Sequence, residues 1–235
     1  MNVKQRIGIW GDSILKGVVF DEVKGTYRIL AKGCVQMVEQ AFGIKILNRT
    51  RFGSTVDKGY QQLNKAVESG LDCDIILLEY GGNDCDFDWG AVSANPTADH
   101  QPRTPMPLFL ETLQQMVKTL RDHSIEPALM SLPPIDGYRY LDYLVSKGAD
   151  RKQLLSFLGS AQQIYQYHEW YSISVTHLAE RLKCLYIPVR EAFLARGRCN
   201  ELICLDGIHP NEKGHQLLQE VFTSYQIKNH LLEPI

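Results

Sequence analysis

The sequence has no long hydrophobic run. None of its apolar stretches reaches the roughly 18 residues that a membrane-spanning helix needs, so no membrane segment is expected. An apolar signal region is also missing, because residues 1–6 read MNVKQR and lead directly into the first predicted strand. These two absences make a cytoplasmic location the default expectation.

Cysteine pairing and a strong net charge are absent as well. The six cysteines include no C-x-x-C pair, and in a chain of 235 residues we expect free thiols rather than a disulfide framework. Lys and Arg number 25 and Asp and Glu number 27, which leaves a formal net charge of −2. This balance argues against a broad nucleic-acid surface or an anionic-membrane surface, so neither partner is expected.

Several catalytic signatures are missing too. The sequence contains no G-x-S-x-G nucleophile elbow, no H-E-x-x-H zinc motif and no P-loop. His209 and His215 are candidate metal ligands, but no cysteine clusters with them, and we expect His215 on the surface of the last helix. No metal and no cofactor are therefore expected.

What the sequence does contain is an alternation of predicted strands and helices, with 44% apolar residues to supply a core. The pattern favours an α/β fold, a three-layer α/β/α sandwich built on a five-stranded parallel sheet. Its ligand site should lie at the carboxyl ends of the strands. The strands are predicted at residues 7–10, 44–48, 75–78, 127–132 and 184–187, and the helices at residues 28–42, 58–68, 108–123, 164–182 and 211–225.

Two long stretches interrupt this pattern in what we expect to be one domain over residues 1–235. Residues 85–107 are polar and contain prolines, and residues 136–160 hold two short helix-like segments. Because both follow strand ends, we expect both to overhang the ligand site. Phe87 and Trp89 lie in the first stretch, where aromatic side chains either line an acyl or sugar pocket or pin the loop to the body of the protein.

A Gly-Asp-Ser tripeptide at residues 11–13 directly follows the first predicted strand. In an ordinary turn, its glycine permits a tight backbone and Ser13 caps the next helix. The end of a buried strand is also the place where a doubly wound sheet presents its ligands. Ser13 is therefore a candidate nucleophile as well as a candidate cap.

A second motif, Asp-Gly-Ile-His-Pro, occupies residues 206–210 near the other end of the chain. In a plain polar loop before the last helix, Asp206 belongs to a turn and His209 is solvated. In the functional interpretation His209 reaches Ser13 as a general base, and Asp206 holds the imidazole tautomer and stabilises its cation. A spacing of three residues within one loop permits that contact.

Two further blocks supply candidate donors for an oxyanion. Gly53 follows the second predicted strand, and without a side chain it lets a substrate approach its backbone N–H closely. Asn83, in Gly-Gly-Asn-Asp, follows the third strand, and its amide is a second donor. Both blocks also fit loop glycines with an Asx-turn. One well-aimed donor contributes about 3–4 kcal/mol to the transition state.

Together these four blocks resemble the SGNH hydrolases of the GDSL esterase/lipase superfamily, whose four naming residues match Ser13, Gly53, Asn83 and His209. The resemblance implies a flavodoxin-like sandwich and metal-free ester hydrolysis through an acyl-serine. It implies Ser13 as nucleophile, His209 as base and Asp206 as the third member of the triad. The oxyanion hole would consist of the Ser13 and Gly53 backbone N–H groups and the Asn83 side chain.

The resemblance also covers Asp12 and Asp84, from which we expect structural hydrogen bonds rather than chemistry. The expected partner is a small-molecule ester. Because the long loops are polar and aromatic, we favour small acyl esters, such as acetyl groups on carbohydrates. A lysophospholipase or thioesterase is the enzymatic alternative, and a non-catalytic flavodoxin-like binding module is the alternative from another class.

Overall fold

The computed structural model describes residues 5–229, which form a five-stranded sheet, a separate two-stranded hairpin and the helices around them. The strands are β1 (Ile7–Gly11), β2 (Val18–Asp21), β3 (Thr26–Ile29), β4 (Ile46–Asn48), β5 (Ile75–Glu79), β6 (Glu126–Met130) and β7 (Leu185–Ile187). The helices are α1 (Ser13–Lys16), α2 (Cys34–Phe42), α3 (Val56–Glu68), α4 (Trp89–Ala94), α5 (Met106–Asp122), α6 (Gly137–Ser146), α7 (Arg151–Leu158), α8 (Gln162–Leu182), α9 (Val189–Arg196) and α10 (Glu212–Lys228).

The large sheet is parallel throughout and has the order β4-β1-β5-β6-β7. Counted within this sheet, the order is 2-1-3-4-5, the flavodoxin-like arrangement. Every residue of β1 and β5 is buried, because helices cover both faces of the sheet. The prediction of a three-layer α/β/α sandwich is confirmed. In this topology the crevice for a ligand opens where the winding direction reverses, between the carboxyl ends of β1 and β5.

Two hydrophobic cores lie on the two faces of the sheet. Helices α3, α5 and α8 cover one face, where the fully buried side chains include Leu63, Met116 and Tyr171. Helices α2, α9 and α10 cover the other, where Phe42 and Phe193 are buried. Helix α8 supplies Tyr171 from one stripe, together with Ile164, Val175 and Leu178, which is the periodicity seen in the sequence.

The predicted helix over residues 28–42 is wrong in residues 28–33. Residues Thr26–Ile29 form β3, which pairs antiparallel with β2, and helix α2 begins only at Cys34. Thr, Tyr and Ile favour strands, and Asp21 closes the hairpin turn by accepting the backbone N–H groups of Val23 and Lys24. Helix α9 was not anticipated, because its eight residues carry little amphipathic pattern.

The two long stretches at 85–107 and 136–160 contain the helices α4, α6 and α7. These helices pack on one another and on α8 around a third hydrophobic cluster, which includes Trp89, Val92, Leu141 and Leu154. Apart from α4 and the start of α5, the first stretch is a loop, as its composition suggested, and α4 packs it into this cluster. The cluster lies beyond the carboxyl ends of β5 and β6, because the two stretches follow those strands.

Within residues 5–229, no helix combines the length and the apolar character that crossing a bilayer requires. All six cysteines lie in this range, and all six are free thiols.

Candidate active site

Ser13 is placed by the end of β1 and by a cap on the short helix that follows. The chain leaves the strand at Gly11, and the Asp12 carboxylate accepts the backbone N–H of Ile14 at 2.8 Å. The helix cap is therefore Asp12 and not Ser13, whose hydroxyl is left for other partners. The Ser13 side chain is buried apart from access to one cavity.

His209 and Asp206 complete a hydrogen-bonded chain with Ser13. His209 Nε2 lies 2.9 Å from Ser13 Oγ, and His209 Nδ1 lies 2.6 Å from Asp206 Oδ2. The other oxygen of Asp206 accepts the backbone N–H groups of Ile208 and His209. The structure thus brings together two residues that are 196 positions apart in the sequence.

The turn that holds Asp206 and His209 requires a glycine between them. Gly207 has φ of +80°, a conformation that side chains rarely adopt. A Cβ at this position would also lie 2.4 Å from the backbone nitrogen of Tyr140. The Gly207 carbonyl accepts the backbone N–H of Asp136 at 2.7 Å. The loop carrying the histidine is therefore fastened to the start of α6.

Two aromatic rings that sequence reasoning missed pack against the His209 imidazole. The Tyr27 ring, on the β2–β3 hairpin, meets it edge-on at a centroid distance of 5.0 Å. The Phe52 ring stacks nearly parallel to it at 6.2 Å. The Tyr27 hydroxyl donates to that of Tyr143 at 3.0 Å, which ties the hairpin to α6. No motif signals the contact of Tyr27, because it depends on where the hairpin folds.

Asn83 is fixed by the residue next to the nucleophile. Its Nδ2 donates to Asp12 Oδ2 at 2.8 Å, which uses one of the two amide hydrogens and leaves the other available. Gly53 lines the same cavity with φ of +65°, so its left-handed backbone favours glycine. The structure therefore brings Ser13, Gly53, Asn83 and His209 to one cavity, with Asp206 buried behind the histidine.

A buried carboxyl group that the motifs do not include supports this arrangement. Glu79, the last residue of β5, accepts the backbone N–H of Asp12 at 3.0 Å and is 1% exposed. Burial and the neighbouring Asp12 raise the pKa of Glu79 well above its usual range. Asp12 accepts hydrogen bonds from Ile14 and Asn83, which stabilise its charged form. Burial raises the pKa of Asp12 as well, and its Oδ2 orients the Asn83 amide by accepting from it.

Asp84 makes the structural hydrogen bond expected of it, accepting the backbone N–H of Val56 at 3.0 Å. This bond ties the loop after β5 to the first residue of α3. Burial raises the pKa of Asp84 to about 6.

The prediction that His215 lies on the surface of the last helix is wrong. His215 is fully buried, and its Nδ1 accepts the backbone N–H of Cys34 at 3.4 Å. It shares the inward stripe of α10 with Leu218 and Phe222, which follow it at helical spacing. Burial lowers the pKa of His215 to about 4. Within the described range, no three His, Cys, Asp or Glu side chains are grouped as a metal site would need.

The cavity in front of Ser13 has a volume of about 280 Å³ and a largely aromatic wall. The aromatic side chains in this wall include Tyr27, Phe52, Phe87, Trp89, Tyr140 and Tyr167. Phe87 and Trp89 are 2% and 8% exposed, so they anchor their loop in the third cluster and also face the cavity. The half-buried Asp86 carboxylate accepts the Trp89 indole N–H and the Tyr140 hydroxyl, which joins the two long stretches.

Comparison with known proteins agrees with this geometry. The model of the GDSL-like Lipase/Acylhydrolase family matches residues 9–217, which include all four motif blocks. The chain belongs to this family. Membership makes the protein an ester hydrolase and confirms the resemblance to SGNH hydrolases. No curated protein sequence matches the chain.

Solved structures of similar fold align with almost the whole length of this GDSL-family protein. A lipase/acylhydrolase from Enterococcus faecalis has a TM-score of 0.63 at 18% identity and covers 98% of both chains. An acetylxylan esterase from Geobacillus stearothermophilus, Axe2, has a TM-score of 0.65 at 18% identity and covers 96% of both chains. The esterase EstA from Pseudoalteromonas sp. has a TM-score of 0.61 at 19% identity, covering 97% of this chain and 98% of its own. At these identities the similarity shows the fold alone.

Proposed function

We propose that the protein is a serine esterase that works through an acyl-serine intermediate. The observation that carries the proposal is the continuous hydrogen-bonded chain from Ser13 Oγ through the His209 imidazole to the buried Asp206 carboxylate. A serine hydroxyl is a weak nucleophile until a base accepts its proton. His209 Nε2 is within reach of that proton, and the contact between Nδ1 and Asp206 fixes the tautomer in which Nε2 is the acceptor.

In the proposed reaction, Ser13 Oγ attacks the ester carbonyl while His209 Nε2 takes its proton. The carbonyl oxygen becomes an oxyanion, which accepts hydrogen bonds from the backbone N–H groups of Ser13 and Gly53 and from the second amide hydrogen of Asn83. The intermediate then collapses, and His209 protonates the departing alcohol. A water molecule, deprotonated by the same histidine, releases the acid and restores Ser13.

Replacing Asn83 by alanine is expected to lower kcat by about 10²–10³-fold with little change in KM. The reason is that the hydrogen bond from the Asn83 amide is strongest when the oxyanion forms. Asn200→Ala, at an exposed position, is the matched control and should leave kcat unchanged. Pre-steady-state measurement of acylation checks the prediction. A loss of less than tenfold in a variant whose urea unfolding curve matches that of the wild type contradicts the oxyanion role of Asn83.

For the substrate we propose small acyl esters, with acetyl groups on carbohydrates as the favoured class. The cavity of about 280 Å³ lies at the lower end of the ~300–1,000 Å³ range of ligand pockets, which favours a small acyl group. Its wall combines aromatic rings with the polar Asp86 and Arg103, a combination suited to a hydroxylated ring. In this proposal Phe87 and Trp89 form part of the substrate pocket. Two structural relatives bear the name acetylxylan esterase.

A series of p-nitrophenyl esters tests this substrate class. We expect kcat/KM to be highest for the acetate and to fall about tenfold or more by the octanoate, because extra methylenes overpack a small rigid pocket. Acetate release from acetylated xylooligosaccharides is measured beside the series. Activity that rises with acyl length instead favours the alternative, a lysophospholipase or thioesterase of the same family.

A further inference from the structure

A buried arginine on the far side of the cavity wall organises a second group of polar side chains. Arg190, in α9, is 4% exposed, and its guanidinium donates to four residues of α8. Nε donates to Ser172 Oγ at 3.0 Å, and Nη2 donates to His168 Nδ1 at 2.7 Å. Nη1 donates to Glu169 Oε2 at 2.5 Å and to the Tyr165 hydroxyl at 3.3 Å. The Glu169 carboxylate balances the buried positive charge.

The contact with Arg190 determines which nitrogen of His168 carries the proton. A guanidinium is donor-only, so His168 Nδ1 must accept and must itself be unprotonated. Burial and the adjacent positive charge of Arg190 lower the pKa of His168 well below its usual value, so the ring is neutral at neutral pH. A neutral imidazole with a bare Nδ1 carries its hydrogen on Nε2. His168 is therefore held as a donor through Nε2–H.

The only hydrogen bond of the His168 ring among residues 5–229 is the one from Arg190 to Nδ1, so Nε2–H has no partner there. Only 5% of His168 is exposed, and the residue lines the same cavity as Ser13. Leu132, Ile135 and Ile164, which line the same cavity, have no polar side-chain atom. A donor that faces a cavity without a protein partner is free to bind an oxygen of a ligand held there.

We propose that His168 is a specificity-determining residue whose Nε2–H donates a hydrogen bond to an oxygen of the substrate, and that the substrate is therefore an ester carrying hydroxyl or ether oxygens. Arg190 is the positioning residue that fixes the tautomer. This inference rests on the proposed function and deepens it, because it separates a hydroxylated, carbohydrate-like ester from an alkyl ester of the same size. A site with a fixed donor discriminates against analogues that lack the matching acceptor.

The kinetic test compares a mono-O-acetylated methyl β-xyloside with phenyl acetate, which has no oxygen beyond the ester. In His168→Leu the ratio of the two kcat/KM values, xyloside over phenyl acetate, is expected to fall about 3- to 12-fold, the loss of one neutral hydrogen bond. His168→Gln, whose amide both accepts from Arg190 and donates, should restore the ratio to within about twofold. His177→Leu, at an exposed position of the same helix, should leave both rates unchanged.

Long-range ¹⁵N NMR of the histidine rings provides a readout that does not depend on activity. We expect His168 to show a protonated Nε2 and a bare Nδ1 throughout about pH 5 to 8. The opposite tautomer, or a ratio of kcat/KM values that His168→Leu leaves unchanged, overturns the inference. Failure of the proposed function is distinguishable, because wild-type protein would then not be labelled at Ser13 by a fluorophosphonate. Labelled protein with an unchanged ratio contradicts the role of His168 alone.

Discussion

Replacing Ser13 by alanine is expected to lower kcat by about 10⁶-fold and to abolish covalent labelling by a fluorophosphonate probe. Alanine removes the oxygen that attacks the carbonyl, while the donors around the cavity stay in place. A residual rate above that in water should remain from those donors. Intact-mass spectrometry of the labelled protein and active-site-titrated kinetics check the two expectations.

The control for this variant is Ser224→Ala, which removes an exposed hydroxyl from α10 at a position that does not line the cavity. It should be labelled and should hydrolyse ester like the wild type. Folded wild-type protein that stays unlabelled would contradict the acyl-serine mechanism and favour a non-catalytic binding module. Labelling that persists in Ser13→Ala would assign the nucleophile to another residue.

Replacing Asp206 by asparagine is expected to lower kcat by about 10⁴-fold. The asparagine side chain keeps the shape and keeps an oxygen for the backbone N–H groups of Ile208 and His209, so the loop is preserved. Its amide donates to His209 Nδ1, whereas the carboxylate accepts from it at 2.6 Å. The imidazole hydrogen is then forced onto Nε2, which no longer accepts the proton of Ser13.

The measurement is kcat for p-nitrophenyl acetate, with the free energy of unfolding from urea titration beside it. Asp122→Asn is the matched control, because Asp122 forms an exposed i,i+4 ion pair with Lys118, a type of pair that contributes little. If the Asp206→Asn variant folds normally and loses less than about tenfold in kcat, Asp206 only shapes the loop. That result would contradict its role as the third member of the triad.

These expectations rest on motifs that the sequence displays. Ser13 and Asn83 each follow a short apolar run, and the carboxyl ends of parallel strands meet at one edge of a sheet. The alternation of strands and helices therefore predicts both the fold and the meeting of these two residues. The contact between Asp206 and His209 can also be predicted from the sequence, because a spacing of three residues within one loop permits it.

The supporting residues could not be predicted in the same way. The spacing of Leu218 and Phe222 after His215 places all three on the inward stripe of α10 and so indicates that His215 is buried. A polar residue on such a stripe can also lie at its solvent-exposed edge, so the sequence does not decide its burial. Tyr27 reaches His209 only because residues 26–29 pair with β2 instead of joining α2. Strand pairing depends on contacts and burial more than on local preference.

The sequence alone determined the α/β sandwich, the order of its motif blocks and the identities of Ser13, Gly53, Asn83, Asp206 and His209 as candidates, because periodicity and loop chemistry are local properties. Only the tertiary structure decided which polar groups are buried away from water and which protein groups they hydrogen-bond to. The raised pKa of Glu79 beside Asp12 and the lowered pKa of His168 beside Arg190 are such cases. Protonation states of this kind depend on desolvation and on charges from distant elements, which no stretch of sequence encodes by itself.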